Sequence, residues 1–423
     1  MQQTYQKLTF YKEVLDMAYT TLRTLYYGDE NAYKSEYLAR FNSPDACVLD
    51  FEVAGRPAFF LQNHEVSDFV YQILRLDKEI LMLKHQLPGI ALKQYSNKCL
   101  IDEIVLTNKI EGVHSSRKEI GDALALLEAQ SEQKGQRHRF IGLVNKYLKL
   151  MSKAEIAISS CQDIRDIYDE MFLQEVVAEV PHNAPDGKIF RKDPAAVHSA
   201  TDRIIHEGVM PESKIIRTME QALSFLNDKS IEPLYRISLF HYMMEYIHPF
   251  YDGNGRLGRF IFSYCISKEL DPLLSYRISE TVKEQIKAYY TAFETCNDPH
   301  NLADLTSFLI MMLEMLLAAS VDLRDSLKRK LVSWNKYENL ADSLAKNDAK
   351  LNRTYSLLIQ AALFSERGIS VKEVMEVLEV SYSTVKNLLK RVADAGLLLE
   401  KKDGHTKFYQ INLQKLDDMM LNA

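Results

Sequence analysis

Apolar residues recur at intervals of three and four along most of this chain, and few helix-breaking residues interrupt them. The sequence holds only 15 glycines and 11 prolines in 423 residues. A spacing near 3.6 residues places apolar side chains on one face of a helix, and that face then packs against a core. We therefore predict a mainly α-helical protein, long enough for two or three domains.

The composition narrows the class of protein. Apolar residues make up 47% and charged residues 26%, which is usual for a soluble globular chain, and a net charge of −6 argues against bulk binding to nucleic acid or membrane. We expect no bilayer-spanning apolar run and no signal peptide. The cysteines are scattered, odd in number and lack zinc-like spacing, which indicates a reduced, cytoplasmic setting. They are Cys47, Cys99, Cys161, Cys265 and Cys296.

Four segments of the chain differ in pattern, and we predict domain boundaries between them. Residues 1–95 form a helical subdomain with a small strand patch in "ACVLDFEVAGRPAFFLQ". Residues 96–320 form an all-helical domain, interrupted by turn residues in "EVPHNAPDGKIFRKDPAAVHSA" and by a polar loop at 131–138. Residues 321–352 are a charged helical connector, and residues 353–423 form helix, turn, helix and two strands around Gly404.

The stretch "HPFYDGNGRLGR" carries side chains that a packed core would not require. His248 should end a helix, because Pro249 disfavours helical backbone in the residue before it. Imidazole accepts a proton near pH 7. Gly253 and Gly255 allow a ligand to approach the backbone, and a helix that starts near Arg256 offers N–H groups to an anion.

The rest of the stretch favours a phosphate ligand. Arg256 and Arg259 are three residues apart and leave the same helix face, which suits an oligophosphate. Asp252 is a suitable Mg²⁺ ligand, and Phe250 is the buried anchor of the loop. Taken singly, a glycine turn or a histidine beside an arginine is common on surfaces. The ordered set predicts a nucleotide-phosphate site with a general base.

This stretch resembles the Fic family signature, HPFx(D/E)GN(G/K)RxxR, at every specified position, and weaker similarity covers roughly residues 95–320. The resemblance implies an all-helical Fic core that transfers AMP from ATP to a Tyr, Thr or Ser hydroxyl of a target protein. It also implies roles for the site residues. His248 is the base and Asp252 binds Mg²⁺; Gly253, Asn254 and Gly255 hold the α-phosphate, and Arg256 and Arg259 bind the β- and γ-phosphates.

Two further segments are similar to parts of the family. Gly187 and Arg191 fit a β-hairpin flap that holds the target peptide by strand addition, although an ordinary surface hairpin would have the same sequence pattern. "KEQIKAYYTAFETCNDP" resembles a helix that covers the nucleoside, which would place Tyr289 and Asn297 near adenosine. A tyrosine at helical spacing is also compatible with a core position.

"LTNKIEG" resembles the inhibitory motif of the family, (S/T)xxxE(G/N), with Thr107, Glu111 and Gly112 in place. Glu111 would lie in the last turn of a helix, where the helix dipole disfavours a carboxylate unless a cation meets it. The family suggests Arg259 as that cation, and the pair would turn ATP away. Because the motif precedes the catalytic stretch, this is the class II arrangement. The alternative is a solvated glutamate at a helix end.

The last 70 residues resemble a winged helix-turn-helix. The second helix, starting near Ser383, would point one set of residues outward and another inward. The outward set is Thr384, Lys386, Asn387, Lys390 and Arg391, and the inward set is Val385, Leu388, Leu389 and Val392. Acidic residues offset the basic ones, which disfavours DNA binding, and such modules also serve protein contacts.

Three functions fit these observations. The leading one is an autoinhibited protein adenylyltransferase that uses Mg²⁺ and ATP and that modifies a target or itself, as a monomer or homodimer, with no membrane partner. The second is the reverse reaction, in which Glu111 orients a water that removes AMP. The third is a DNA-binding regulator that senses a nucleotide, which the presence of His248 disfavours.

Overall fold

The structure is a computed structural model that describes residues 19–128, 139–198, 204–403 and 406–421. The loop predicted at 131–138 and the wing residue Gly404 lie outside the described residues.

Helices account for most of the described residues, which confirms the predicted mainly α class. The α-helices are α1 (Leu22–Gly28), α2 (Glu30–Phe41), α3 (His64–His85), α4 (Gly89–Ile110), α5 (Arg117–Glu128), α6 (Ile141–Ser152), α7 (Cys161–Tyr168), α8 (Gln174–Glu179), α9 (Glu212–Asn227), α10 (Pro233–Ile247), α11 (Asn254–Glu269), α12 (Ile278–Glu284), α13 (Ile286–Asn297), α14 (Thr306–Ala345), α15 (Ala349–Phe364), α16 (Val371–Leu378), α17 (Tyr382–Asp394) and α18 (Leu413–Leu421). A π-helical turn spans Asp169–Leu173, and 3₁₀ turns span Pro181–Asn183, Pro272–Tyr276 and Pro299–Asn301.

The strands form three small antiparallel sheets. They are β1 (Ala46–Val53), β2 (Arg56–Leu61), β3 (Ala196–His198), β4 (Ile204–Glu207), β5 (Ile369–Ser370), β6 (Leu398–Asp403) and β7 (Thr406–Ile411). Strand β1 pairs with β2, β3 pairs with β4, and β7 lies between β5 and β6.

The chain divides into two compact units whose segments interleave. The first unit comprises residues 1–71, 156–262 and 284–315, and the second comprises residues 72–155, 263–283 and 316–423. Helices α3, α11 and α14 each begin in one unit and end in the other. They are 22, 16 and 40 residues long. The units therefore cut across the consecutive domains expected from the sequence pattern, whose boundaries remain predictions.

The predicted early strand patch folds as a hairpin in the first unit. Strands β1 and β2 are joined by Ala54 and Gly55, which both have positive φ values, 50° and 76°. Two consecutive positive φ angles define the tight turn that matches the twist of a hairpin. Phe59 and Phe60 of β2 are fully buried, so this hairpin contributes to the core of the unit.

Helix α10 is the central helix of the same unit. Its inner face, which includes Ile237, Phe240, Met244 and Ile247, is buried. In total 11 of its 15 residues are buried, and they include Leu239 and Met243 on its other faces. A helix that is apolar all round is enclosed by other elements, so its C-terminal end is a rigid platform.

The C-terminal part of the second unit follows the predicted order of helix, turn, helix and two strands. The inward residues of α17 are buried as predicted; they are Val385, Leu388, Leu389 and Val392. Two of the outward residues already have partners, since Lys386 donates to the Tyr409 hydroxyl at 3.3 Å and Arg391 pairs with Asp348 at 2.6 Å. These contacts engage two of the cations that a surface for binding nucleic acid would need to expose.

Helix α14 bears on two expectations. The first part of the predicted connector, 321–352, belongs to the 40-residue α14, and the boundaries of the connector stay a prediction. This helix also contains a window long and apolar enough to cross a membrane, with a mean hydropathy of 1.7, contrary to our expectation of no such run. Because 72% of that window is buried inside the protein, α14 has the character of a core helix, which passes the same test of length and composition.

Candidate active site

His248 lies where the sequence predicts, at the end of a buried helix. Helix α10 ends at Ile247, and His248 is its C-cap, with φ 51° and ψ 62°. Its N–H donates to the Met244 carbonyl at 3.0 Å. A left-handed backbone at a non-glycine residue turns the chain sharply. The half-buried imidazole is therefore held at the mouth of the following loop.

The loop after His248 is built around Phe250, which is fully buried, as predicted. Its ring stacks on Tyr168 with centroids 3.7 Å apart, and Phe190 meets it edge-on at 5.5 Å. The Asn254 side chain closes the loop from the other side. Its Oδ1 accepts from the Phe250 N–H at 3.0 Å, and its Nδ2 donates to the Phe250 carbonyl at 2.8 Å.

This geometry changes the expected role of Asn254. Its side chain is 2% exposed, and both of its polar atoms bind the Phe250 backbone. In this conformation the side chain holds the loop, and the backbone N–H of Asn254 is the group placed at the start of α11. Helix α11 begins at Asn254, two residues earlier than expected. Its inner stripe is buried and consists of Leu257, Phe260, Ile261 and Tyr264.

Gly253 and Asp252 shape the turn into α11. Gly253 has φ 83°, and a Cβ there would lie 3.3 Å from the Tyr168 ring, so a glycine suits both the backbone and the space. The half-buried Asp252 accepts the Gly253 N–H through Oδ1 at 2.5 Å. The carboxylate therefore sits beside the first backbone N–H groups of the helix.

The two arginines of the motif have different surroundings. Arg256 is 1% exposed; its Nη1 donates to Glu175 Oε1 at 2.8 Å, and its guanidinium lies 4.9 Å from the Phe172 ring centroid. Arg259 is also buried, and its charge contributes to the low pKa of His241. Arg256 thus already pairs with a buried glutamate, and the binding of phosphates by the two arginines stays a prediction.

Arg191 serves the backbone around His248, although the sequence suggested a target-binding flap. Its side chain is fully buried. Nε donates to the His248 carbonyl at 2.8 Å, Nη2 donates to the Val209 carbonyl at 3.0 Å, and Nη1 donates to the Asp193 carbonyl at 2.7 Å. The guanidinium of Arg191 thus holds the backbone around His248 through three carbonyls. Its predicted contact with a target peptide stays a prediction.

Gly187 likewise has a local structural role. A Cβ at this position would lie 2.4 Å from Glu212 Oε1 and 2.4 Å from the Phe190 carbonyl oxygen. Glu212 accepts the N–H groups of Lys188, Ile189 and Phe190 at 2.8–3.0 Å. The Glu212 carboxylate fills the space inside the turn, so only glycine fits at position 187.

The predicted hairpin is present next to this turn. Ala196 of β3 pairs with Glu207 of β4 in antiparallel register. The hairpin is attached to the end of α10, because the Val209 N–H donates to the Ile247 carbonyl at 3.1 Å, and because His206 Nε2 lies 2.6 Å from the Tyr246 carbonyl oxygen. The residues between the two strands, 199–203, lie outside the described residues.

Tyr289 and Asn297, expected near adenosine, are engaged inside the first unit. Tyr289 is 3% exposed, and its hydroxyl lies 2.6 Å from His241 Nε2. It therefore lies in the core, which is the alternative that we considered, and its contact with adenosine stays a prediction. Asn297 is half-buried at the end of α13 and accepts from the Tyr242 hydroxyl at 2.7 Å.

The surroundings of His248 keep its imidazole neutral. Burial lowers the pKa of His248 from 6.5 to about 3, and the positive charge of Arg191 and the nearby His206 lower it further. A neutral imidazole has the lone pair that a general base needs. Arg191 therefore acts on His248 twice, through the backbone carbonyl and through its charge.

The segment that resembles the inhibitory motif lies in the second unit. Thr107 is fully buried, and the exposed Glu111 is the C-cap of α4. Gly112 follows with φ 72°, and the Val113 N–H donates to the Asn108 carbonyl at 2.9 Å. Only glycine or asparagine adopts this left-handed conformation easily, which explains the last position of the motif.

Sequence reasoning missed Glu175, Tyr168 and Glu212. Glu175 was recognisable as a charge among apolar residues in "MFLQEVVAEV", where a buried charge requires a partner. It follows the π-helical turn Asp169–Leu173, and such turns often occur at functional sites. Nothing in the sequence marks Tyr168 or Glu212, whose roles depend on contacts across the fold.

The described residues include no group of three or more His, Cys, Asp or Glu side chains able to hold a metal ion. Mg²⁺ is commonly bound by one or two carboxylates together with substrate phosphates. Asp252 fits such a site. The Tyr168 hydroxyl is buried, has no hydrogen-bond partner within the described part of the chain, and feels the charge of Asp252. A hydrated ion or a phosphate would satisfy that hydroxyl.

Comparison with known proteins finds a family match over the segment that contains this site. Residues 159–266 match the model of the Fic/DOC family. They contain the motif, Arg191, the hairpin and the Glu175–Arg256 pair. The chain thus carries a Fic/DOC domain match over the segment that forms the site.

Particular relatives are similar over part of their length. The protein adenylyltransferase fic-1 of Caenorhabditis elegans is 31% identical over 104 residues, which are 24% of this chain and 18% of the relative. A solved Fic family protein from Desulfovibrio desulfuricans G20 is 18% identical, with a TM-score of 0.48 over 83% of this chain and 96% of that one. A structure of Fic-1 from C. elegans is 18% identical, with a TM-score of 0.45 over 73% and 81% of the two chains.

Proposed function

We propose that this protein is an adenylyltransferase that moves AMP from Mg-ATP to a Tyr, Thr or Ser hydroxyl of a protein, and that Glu111 inhibits it. The observation that carries the proposal is the complete motif around His248. A neutral imidazole at the end of a rigid helix faces a glycine loop and the start of α11. The match to the Fic/DOC family over 159–266 supports the same reaction.

His248 acts as the general base in this proposal. As the target hydroxyl oxygen forms a bond to the α-phosphorus, its proton passes to the imidazole, and the bond from the α-phosphorus to the bridging oxygen breaks. Pyrophosphate leaves with that bond pair. A positioned base of this kind contributes roughly 10²–10⁴-fold to the rate.

The start of α11 and two cations stabilise the phosphates. Backbone N–H groups at a helix start, together with the helix dipole, attract an anion. Arg259 contributes charge near the β- and γ-phosphates, while Arg256, fixed by Glu175, contributes a stationary positive charge beside the loop. When bound, Mg²⁺ would be held by Asp252 and would neutralise charge on the phosphate oxygens.

The target segment is proposed to add to the β3–β4 hairpin as an extended strand. Main-chain hydrogen bonds hold a peptide in this mode, so no particular side chain is required on the hairpin. The hydrogen bond that holds the hairpin next to Ile247 favours this mode of binding, because a target strand added to the hairpin would lie close to His248.

Inhibition is proposed to arise from pairing of Glu111 with Arg259. The carboxylate sits at the C-cap of α4, where the helix dipole disfavours negative charge. A cation offsets that cost, and an arginine engaged by Glu111 would no longer bind the γ-phosphate. We also infer a cytoplasmic setting, which is supported by the five free cysteine thiols.

The proposal is tested by AMP incorporation from labelled ATP into cell-lysate proteins and into the enzyme itself. We expect Glu111→Gly to raise incorporation over the unmodified protein by at least tenfold. Glu128→Gly, which changes another exposed glutamate at a helix end, is the matched control and should leave incorporation unchanged.

The same assay separates transfer from removal. If the unmodified protein releases AMP from a labelled target and Glu111→Gly does not, the site runs in the hydrolytic direction. If Glu111→Gly incorporates no AMP across the available proteins and divalent metals, the proposed transfer is wrong.

A further inference from the structure

The second compact unit contains a polar cavity of about 440 Å³. Its walls come from α4, from the segment around Arg277, and from α14 and α15. Four of its lining side chains are cations and two are carboxylates, so the charged lining has an excess of positive charge. The cations are Lys98, Arg277, Arg329 and Lys330.

Both carboxylates of the cavity already have cationic partners. Asp102 pairs with Lys98 at 3.4 Å and also with Arg117, which lies outside the cavity lining. Glu280 pairs with Arg277 at 2.9 Å, and Arg277 also pairs with Asp322. The two carboxylates of the cavity thus neutralise the charges of Lys98 and Arg277, but not those of Lys330 and Arg329.

Lys330 is held in the cavity wall by groups that carry no charge. Its Nζ donates to the Leu363 carbonyl at 2.5 Å and lies 5.0 Å from the Tyr95 ring centroid and 4.9 Å from that of Phe364. Within the described ranges, these contacts of Lys330 Nζ are all with uncharged groups. Burial first, and then the charges of Lys98 and Arg329, lower the pKa of Lys330 to about 8.

We propose that this cavity binds a small molecule that carries a phosphate group. A dianion would offset the charges of Lys330, Arg329 and Lys98, which otherwise repel one another. The hydroxyls of Ser326 and Ser333 provide additional donors in the lining. A volume of about 440 Å³ lies within the usual range for small-molecule sites and exceeds what one phosphate ion fills.

The test uses isothermal titration calorimetry with inorganic pyrophosphate as the probe, at low ionic strength and without ATP. We expect the double variant Lys330→Met/Arg329→Gln to bind pyrophosphate at least tenfold more weakly than the unmodified protein. Lys372→Met, which changes an exposed lysine of α16, should bind as the unmodified protein does. Arg259→Ala, which alters the candidate active site, should retain this binding event.

Further arms distinguish the source of the phosphate. Tighter binding of AMP than of ribose 5-phosphate and pyrophosphate would identify a nucleotide ligand, and equal binding would identify the phosphate alone. Because Lys330 packs on two rings, Arg329→Glu serves as a second variant at an exposed position if the double variant unfolds. Undetectable pyrophosphate binding, unchanged affinity in both cavity variants, or a loss confined to Arg259→Ala would overturn the proposal.

Discussion

Two segments of the first unit have similar compositions, but their polar side chains have different roles. The motif loop, 248–255, and the segment 186–212 both combine glycines, acids and basic side chains. In the loop, His248 and Asp252 remain half-buried beside a helix start. In the other segment, Arg191 and Glu212 bind backbone groups almost exclusively. Polar side chains near a site thus divide into those that face a ligand and those that hold the backbone that presents them.

The difference follows from the backbone of each segment. The segment 186–212 has little regular structure, so its buried carbonyl and N–H groups need side-chain partners. Arg191 and Glu212 supply them. The loop is short and already closed by Phe250 and Asn254, which leaves its remaining polar groups available. Four substitutions or conditions test this division, from the largest expected effect to the smallest.

Removing the Arg191 guanidinium should have the largest effect on folding. Arg191→Met leaves several buried carbonyls without a donor, and we expect a loss of about 3 kcal/mol in the free energy of unfolding. Urea denaturation followed by circular dichroism measures it. The matched control is Arg217→Met, an exposed arginine of α9, which should change stability by less than about 0.5 kcal/mol. Equal losses in the two variants would mean that Arg191 does not support the loop.

Separating the buried ion pair should have the next largest effect. Glu175→Gln removes the negative charge beside Arg256 and leaves a buried cation uncompensated, which we expect to cost about 2–3 kcal/mol. The double variant Glu175→Leu/Arg256→Met removes both charges and should be more stable than Glu175→Gln. A double-mutant cycle that finds no coupling between the two positions would contradict the pairing.

Filling the space at Gly187 should have a smaller effect. Gly187→Ala introduces a Cβ against the Glu212 carboxylate and the Phe190 carbonyl, and we expect a loss of about 1–3 kcal/mol. Gly89→Ala is the matched control, because no heavy atom lies within 4 Å of its added Cβ. The midpoint temperature of thermal unfolding should therefore be lower for Gly187→Ala than for Gly89→Ala. A control that loses as much stability as Gly187→Ala would refute the steric explanation.

Acidification should weaken the fold gradually through His241. Burial lowers the pKa of His241 from 6.5 to about 3, so between these values the unfolded chain binds a proton that the folded chain does not. Stability is complete above about pH 7 and falls as the pH drops below 6.5, by about 1.4 kcal/mol at pH 5.5. His241→Gln should remove this part of the slope when urea midpoints are compared between pH 7.5 and pH 5. An unchanged slope would show that His241 does not titrate as described.

Much of the fold was predictable because it depends on local pattern. The helical period placed α10 and α11, Pro249 marked the end of α10, and the strand-like pattern placed the β1–β2 patch. The interleaved units were not predictable, since they depend on which distant helices pack together. Within the site, the identity and positions of His248, Asp252 and the glycines were accessible from the motif. The sequence could not show that Arg191, Asn254 and Arg256 have partners inside the protein. The spacing of residues along the chain does not indicate which atoms a side chain contacts.

The central claim is that the His248 site transfers AMP and that Glu111 restrains it. The most direct measurement is the rate of AMP incorporation from labelled ATP by Glu111→Gly, compared with Glu111→Gly/His248→Ala. The account predicts incorporation by the single variant and a decrease of at least 100-fold in the double variant, with both proteins equally folded by circular dichroism. Equal incorporation by the two variants, or none by Glu111→Gly, would contradict it.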